Sequence, residues 1–256
     1  MASMGLLPRP HGRASALASA LAWAFACTGL VLASQASPAE DPDALFRDRE
    51  QLEWAVAAAE IWDARLAADT RDFGAAWKAA RARVWIGERG GRDGRKAQYE
   101  RGMSAARRAI AIEPARPEGH FWLAVNMGAM ASASPIRAGL KYRVPIRESL
   151  EAAIRLDPTY NRGAAHCALG KYYLQVPWLF GGSKSKAEAL LRSCLAVDAD
   201  SAMGHYFLAQ TLVARSRPDE ARHELGKVLE SPEDVEFGPE TRLYKRKAER
   251  LLKKLG

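Results

Sequence analysis

Two short sequence patterns recur along this 256-residue chain at a nearly constant interval. The first is a histidine followed three residues later by leucine and then by alanine or glycine, and it begins at His120, His166 and His205. The second is an apolar step closed by an acidic residue and a turn residue, and it ends at Thr70, Pro114, Pro158 and Ala199. These ends lie 44, 44 and 41 residues apart. Regular spacing of two independent patterns indicates a chain built from one repeated unit.

Each unit has the character of a pair of helices. Small residues at Ala124, Gly170 and Ala209 let a second helix approach closely, and the chain turns at Pro114 and Pro158 because proline cannot continue a helix. Between these points apolar residues recur at helical period, and no convincing strand is present, so we predict an all-α fold. The predicted helices cover residues 43–68, 72–87, 96–112, 117–131, 143–156, 160–175, 184–197, 201–215, 218–230 and 239–255.

This helix pair, with small residues at its contact and a closing Asp-Pro, resembles the tetratricopeptide repeat. In the best copy Ala209 precedes Ala221 by 12 residues, as that pattern requires. The other units are longer than the usual repeat of about 34 residues, and the excess lies between the two helices of a unit. The enlarged loops are Glu88–Arg95, Ser132–Lys141 and Val176–Gly182. The resemblance implies a right-handed solenoid of antiparallel helix pairs with a C-terminal capping helix.

A longer pattern narrows the resemblance. The segments Gly119–Gly128, Leu169–Tyr173 and Val176–Lys184 are similar to the TRAP transporter T-component family, a group of exported tetratricopeptide-like proteins. The similarity covers roughly residues 45–232. Its most specific residues are Trp122, Asn126, Pro177, Gly181 and Gly182. The resemblance implies a role in solute uptake together with an extracytoplasmic solute-binding protein.

The first forty residues have the order of a secretory signal. Arg9 and Arg13 precede an apolar run over residues 16–32, and small residues follow at Ser34 and Ala36. We therefore predict an exported, periplasmic protein whose signal, residues 1–36, is removed near Ala36. The alternative is an uncleaved N-terminal membrane anchor, because the apolar run approaches the length of about 20 residues that spans a bilayer. The remaining chain divides into a repeat domain, residues 37–238, and a basic amphipathic capping helix, residues 239–256.

Histidine and cysteine invite a metal or catalytic interpretation, which the repeat register disfavours. His120, His166 and His205 occupy equivalent positions in stacked units, roughly 10 Å apart, which is too far for shared metal ligation. An exported protein permits a disulfide between Cys167 and Cys194. The register, however, turns Cys194 into a helix contact and Cys167 toward the concave wall, so we expect no disulfide. No catalytic motif occurs, and we predict no catalytic residues, no metal and no cofactor.

A solenoid presents a concave groove lined by the first helix of each pair. We predict that this groove binds a protein partner or an apolar ligand, with plain packing as the alternative for the same face. The loop triplet at 178–180 is costly to leave in water, so it either tucks under the solenoid, which we expect, or contacts a partner. The candidate binding residues are Phe121, Val125, Lys171, Leu174, Trp178, Phe180, Tyr206 and Gln210.

The net charge of +8 is concentrated at the end of the chain. Residues 239–256 contain seven lysines and arginines against Glu240 and Glu249, which leaves the repeat body almost neutral. We therefore expect no nucleic-acid partner. The C-terminal helix is expected to cap the solenoid, with contact to anionic lipid as the alternative.

The leading hypothesis is thus an exported helical-repeat adaptor that binds a partner in its groove and along its loop edge. An accessory T-component of a TRAP-type uptake system is the second hypothesis. The third is an enzyme that acts on envelope polymers, which the absence of catalytic motifs makes the weakest of the three.

Overall fold

A computed structural model describes residues 41–135 and 139–256, within a compact unit that spans residues 39–256. The predicted secretory signal, residues 1–36, lies outside the described residues. Within the described ranges the chain is helical and contains no strand, as predicted. The helices are α1 (Pro42–Arg47), α2 (Leu52–Ala68), α3 (Phe73–Arg89), α4 (Arg95–Ile112), α5 (Pro117–Ser132), α6 (Arg143–Leu156), α7 (Tyr160–Gln175), α8 (Lys184–Val197), α9 (Ala202–Ala214), α10 (Pro218–Glu230) and α11 (Gly238–Leu255).

Consecutive helices from α3 to α10 form four antiparallel pairs that stack into a right-handed solenoid. The prediction of tetratricopeptide-like helix pairs is confirmed, and most predicted helix ends lie within two residues of the observed ones. Small residues permit the close approach within a pair. A Cβ added at Gly170 would lie 3.2 Å from the Ala187 carbonyl oxygen and 2.7 Å from Leu191 Cγ. Ala209 and Ala221 are both fully buried, which fits the same kind of contact in the last pair.

The single helix predicted over residues 43–68 is wrong, because the chain breaks into α1 and α2 at residues 48–51. No proline or glycine marks this break in the sequence. The turn leaves the Arg49 carbonyl oxygen free of helical bonding, and the Trp85 indole nitrogen donates a hydrogen bond to it over 2.7 Å. A contact from α3, remote in sequence, therefore stabilises the turn.

The start of α7 also differs from the uniform helix predicted there. Asn161, Arg162 and Gly163 have φ angles of 50°, 57° and 73°, so the regular helix begins only after Gly163. Left-handed backbone is unfavourable for Asn161 and Arg162, and contacts elsewhere must offset its cost. Arg162 supplies two of them, since it forms ion pairs with Asp198 and Asp234.

Cys167 on α7 and Cys194 on α8 form a disulfide, which corrects the expectation that they would not. Their Cα atoms lie 5.4 Å apart, and both side chains are buried. The expectation failed because Cys167 does not face the concave wall. It turns into the contact between α7, α8 and α9, where a Cβ added at Gly204 would lie 3.2 Å from its sulfur.

We predict that reduction of this disulfide lowers the free energy of unfolding by about 3 kcal/mol, because the bond closes a loop of 27 residues in the unfolded chain. Urea unfolding with and without reductant measures the difference. The variant Cys167→Ala serves as the control, since reductant should no longer change its unfolding midpoint. Alkylation of Cys167 and Cys194 in the unfolded, unreduced protein would contradict the prediction.

The C-terminal helix α11 packs on α9 and α10 and also contacts the N-terminal turn. Leu251, Leu252 and Leu255 pack against the apolar cluster formed by α7 to α10. At the other end of the helix, the buried Arg49 guanidinium donates to the Glu240 carboxylate and to the Glu236 and Phe46 carbonyls. Arg242 and Glu50 form a second ion pair. The two ends of the solenoid are thus joined, in addition to the capping role predicted for this helix.

Glu240→Ala should lower the free energy of unfolding by about 2 kcal/mol, because it removes the carboxylate from a buried guanidinium. Chemical unfolding measures this cost. Glu249→Ala provides the matched control on an exposed position of the same helix, with an expected change of at most about 0.5 kcal/mol. Equal effects of the two variants would show that Arg49 does not depend on Glu240.

Candidate functional site

The first helices of the four pairs enclose a cavity of about 1140 Å³ together with α11 and the N-terminal turn. Helices α3, α5, α7 and α9 contribute one wall, as the solenoid geometry predicts. Helix α11 contributes Glu240, Thr241, Leu243 and Tyr244 from the opposite side. The contact between the N-terminal turn and α11 therefore narrows the groove into a cavity.

Aromatic rings dominate the apolar part of the wall. Phe121 packs edge to face on Trp122, with ring centroids 4.9 Å apart, and the Trp122 indole nitrogen donates to the Tyr160 hydroxyl over 3.1 Å. Burial raises the pKa of Tyr160, so its hydroxyl stays protonated at neutral pH. The aromatic lining residues are Phe46, Trp85, Tyr99, Phe121, Trp122, Tyr172, Phe207, Phe237 and Tyr244.

Arginines of α3 line the same cavity and stack on these rings. The Arg81 guanidinium carbon lies 4.3 Å from the Phe46 ring centroid and 5.1 Å from that of Trp77, and Arg81 pairs with Asp43 at 3.6 Å. Its Nε is buried and has no hydrogen-bond partner among the described residues. Burial lowers the pKa of Arg81, and the nearby Arg49 charge lowers it further. The guanidinium remains charged and holds one donor unused beside the cavity.

Lysines from two other helices bring further positive charge to this region. Lys171 of α7 lines the cavity, with its ammonium 5.3 Å from the Phe207 ring centroid, and no carboxylate of the described residues lies within 4.0 Å of it. Burial lowers the pKa of Lys247 of α11; Glu88 opposes this shift, while Lys171 and Arg89 reinforce it. The cavity lining contains eight lysines and arginines against six aspartates and glutamates, so a small excess of positive charge suits the cavity to a ligand that carries negative charge.

Three of the predicted groove residues, Phe121, Val125 and Lys171, line the cavity. Three others lie outside its wall. Leu174 packs against the core around α5 to α7. Tyr206 packs against Phe207 and Tyr244. Gln210, the third of these residues, donates a 3.1 Å hydrogen bond to the Tyr206 hydroxyl. The register placed Tyr206 on the cavity side, whereas the next residue, Phe207, occupies that side.

The expectation that the loop at 178–180 tucks under the solenoid is wrong. Trp178, Leu179 and Phe180 form a short 3₁₀ helix between α7 and α8, and their side chains are 79%, 69% and 40% exposed. Trp178 and Phe180 thus belong to a separate outer surface and do not join the other candidate residues in the cavity.

The recurring histidines mostly tie each first helix to the turn before it. His120 bonds through Nε2 to the Pro114 carbonyl at 3.0 Å, and His205 bonds through Nε2 to the Ala199 carbonyl at 2.8 Å. His205 also pairs through Nδ1 with Glu224. In His166 the buried Nδ1 has no hydrogen-bond partner among the described residues, and burial lowers the pKa of the imidazole. Over residues 41–135 and 139–256, no group of histidine, cysteine and carboxylate side chains is arranged to hold a metal ion.

Sequence reasoning missed most of the charged wall and all of α11. One face of α3 presents Arg81, Trp85 and Arg89, which are spaced four residues apart. This helical spacing could have identified the face that lines the cavity. Tyr244 could not be found in this way, because its place depends on the meeting of the chain ends. None of the helices in the described part of the chain is long and apolar enough to cross a membrane.

A protein-family model described as regulator of microtubule dynamics protein 1-3 matches residues 40–256. The match spans the whole helical unit. It does not confirm the resemblance to the TRAP T-component family. Among curated proteins, none matches the chain.

One solved structure agrees with the fold. The chain is similar to TTC0263, a thermophilic tetratricopeptide repeat protein of Thermus thermophilus, with a TM-score of 0.60, 23% identity and coverage of 81% of this chain and 98% of that chain. MamA gives a TM-score of 0.47 with 16% identity over 72% of this chain and 92% of its own. YrrB, a tetratricopeptide protein with an unusual peptide-binding site, gives 0.44 with 14% identity over 79% of this chain and 89% of its own.

We predict that Lys247→Met raises the free energy of unfolding at neutral pH by about 0.5 kcal/mol. A lysine whose pKa is lowered on folding binds its proton less tightly in the folded state than in the unfolded state. Its charge therefore destabilises the fold below the folded pKa, and this cost disappears as pH rises through the interval between the two pKa values. The difference between variant and parent should accordingly shrink in alkaline urea titrations.

The exposed Lys253 of the same helix supplies the control, because Lys253→Met should change stability little at any pH. A destabilised Lys247→Met variant would show that the ammonium makes favourable contacts that outweigh its burial.

Proposed function

The chain belongs to the family of regulator of microtubule dynamics proteins 1-3, and from this premise we propose that it is a helical-repeat adaptor that binds a segment of a partner protein in its central cavity. The observation that carries the proposal is the cavity itself: about 1140 Å³, walled by aromatic rings and by cations that the fold does not fully neutralise. A tetratricopeptide-like solenoid offers this kind of concave surface for binding.

The composition of the wall defines the chemistry of the segment. Aromatic and aliphatic groups on α5 and α9 favour apolar side chains, because their burial removes apolar surface from water. Arg81, Arg89 and Lys171 favour carboxylates, which would also relieve the repulsion among the cations. We therefore propose a segment in which aromatic or aliphatic residues alternate with aspartate or glutamate. The cavity exceeds the range of about 300–1,000 Å³ that is usual for small ligands, which supports a peptide-sized occupant.

Export is retained as part of the proposal on the basis of the first forty residues, whose basic, apolar and small-residue regions follow the order of a secretory signal. The narrower role of a TRAP T-component rests on sequence resemblance alone. Genes for a TRAP permease beside the gene for this chain would support it, and their absence would count against it.

A glycine on α5 allows the cavity to be blocked without disturbing the fold. Gly128 lines the cavity, and an added Cβ at this position would meet no atom within 4 Å. Gly128→Leu should therefore place an apolar side chain in the cavity, while stability stays equal or rises by about 0.5–1 kcal/mol because leucine favours the helix. Gly226 of α10 is the matched control: it is equally unobstructed but lies outside the cavity wall.

The test is selection from a displayed library of random peptides, followed by fluorescence anisotropy with the enriched peptides. We expect enrichment of peptides that combine aromatic and acidic residues. Their affinity should fall about tenfold or more in Gly128→Leu and in Lys171→Glu, and should remain unchanged in Gly226→Leu. Equal affinities of Gly128→Leu and the parent would place the peptides elsewhere and would refute the cavity as the binding site.

A further inference from the structure

Outside the cavity, the most unusual surface of the molecule is the protruding triplet Trp178–Phe180, here called the apolar tip. Trp178 and Leu179 are more exposed than any other large apolar residue of the described chain except Val235. The apolar tip stands at the enlarged loop between α7 and α8, next to Pro177, which lines the edge of the cavity. Such exposure of adjacent tryptophan, leucine and phenylalanine side chains costs free energy in water, and it persists only if something holds the loop in place.

The backbone of the loop holds the apolar tip outward. The Phe180 and Gly182 amides donate to the Pro177 carbonyl over 2.9 and 3.2 Å, and the Ser183 amide donates to the Tyr173 carbonyl of α7 over 2.9 Å. Gly181 has φ of 94°, a conformation that side chains disfavour. A Cβ at Gly182 would lie 1.7 Å from the Val176 carbonyl oxygen, so the closure also requires glycine there. The tip is a built, rigid feature.

One cation contacts the apolar tip, and further lysines lie close to it along the chain. The Arg143 guanidinium lies over the Phe180 ring, 5.6 Å from its centroid, which brings the start of α6 beside the tip. Lys141, Lys184 and Lys186 are exposed, and no carboxylate of the described residues lies within 4.0 Å of these lysines or of Arg143; the Lys184 ammonium donates to the Ala214 carbonyl. The sequence contains no aspartate or glutamate between Glu118 and Glu148, nor between Asp157 and Glu188. These two acid-free stretches meet at the tip.

We infer that the apolar tip and its cations form a docking site for an anionic lipid surface. Tryptophan is favoured at the interface between headgroups and acyl chains, where its ring is apolar and its N–H remains hydrated. Cations around such an insertion are attracted to an anionic surface. The combination supplies two weak attractions that act together, as stable peripheral binding requires.

The shape of the site favours a lipid surface over a protein. Hot-spot residues of protein interfaces are typically anchors buried in well-packed pockets. The apolar tip, by contrast, is a projection of three residues that forms no pocket. A fluid headgroup layer needs no matching pocket, because it deforms around the inserted side chains. Arg143 also lines the cavity, but the variants tested below leave Arg143 and the other cavity residues unchanged, so the site is tested independently of the proposed adaptor function.

The experiment is co-sedimentation with vesicles of phosphatidylcholine alone or with about a third of phosphatidylglycerol. The full chain is compared with a chain that begins at Ala39, because residues 16–32 could bind lipid on their own and the unit from residue 39 onward contains all three apolar clusters. We expect binding to the anionic vesicles that weakens with salt. The double variants Trp178→Ser/Leu179→Ser and Lys184→Glu/Lys186→Glu should each reduce partitioning about tenfold or more, with unchanged circular dichroism.

Two control variants separate this surface from the rest of the molecule. Val235→Ser removes an apolar side chain of equal exposure in a different loop, and Lys253→Glu/Lys254→Glu removes charge from the C-terminal helix. Both should keep most of the lipid binding. The inference is overturned if neither chain binds anionic vesicles, if the tip variants bind as the parent does, or if only the C-terminal variant loses binding. Loss of a protein partner in the tip variants, with lipid binding intact, would also overturn it.

Discussion

The buried Arg49 guanidinium holds the two ends of the solenoid together, and the shape of the binding cavity follows from that contact. Arg49 lies in the short turn between α1 and α2, stacks near Phe46 and Trp85, and reaches two groups of the segment that begins α11. A guanidinium removed from water must be paired and hydrogen-bonded nearly completely, or the fold loses several kcal/mol. This requirement selects one position for α11 and closes the groove from its open side.

Local sequence chemistry predicted the helices well because helix ends are encoded locally. The bounds of α6, α8 and α10 agree with those expected from prolines, caps and apolar period, and α7 ends at the predicted residue although its regular helix begins only after Gly163. The break between α1 and α2 could not be predicted, since the Trp85 indole and the Glu240 carboxylate that stabilise it lie far along the chain.

Side-chain direction was harder to predict than helix position, because one residue along a helix rotates the side chain by about 100°. A rotation of this size places Phe207 at the cavity and turns the neighbouring Tyr206 away from it. The direction of the Cys167 side chain likewise determines whether it can form a disulfide. The repeat register assigned Cys167 to the concave wall, whereas the crossing of α7 against α8 and α9 turns it inward to Cys194. The cavity wall therefore includes the candidate groove residues on α5 and one of the two on α7, but neither of those on α9, and their role in binding stays a prediction.

The enlarged loops explain why this solenoid carries two surfaces where a minimal repeat would carry one. In a unit of minimal length a tight turn joins the two helices and presents no additional side chains that could form a second surface. Here the extra residues after α7 leave Pro177 at the edge of the cavity and project Trp178 and Leu179 beyond it. Both the cavity wall and the projection cost stability, one through crowded cations and the other through exposed apolar surface. Close-packed small residues in each helix pair and the Cys167–Cys194 disulfide offset that cost, and they do so in the layer of the fold that neither surface uses.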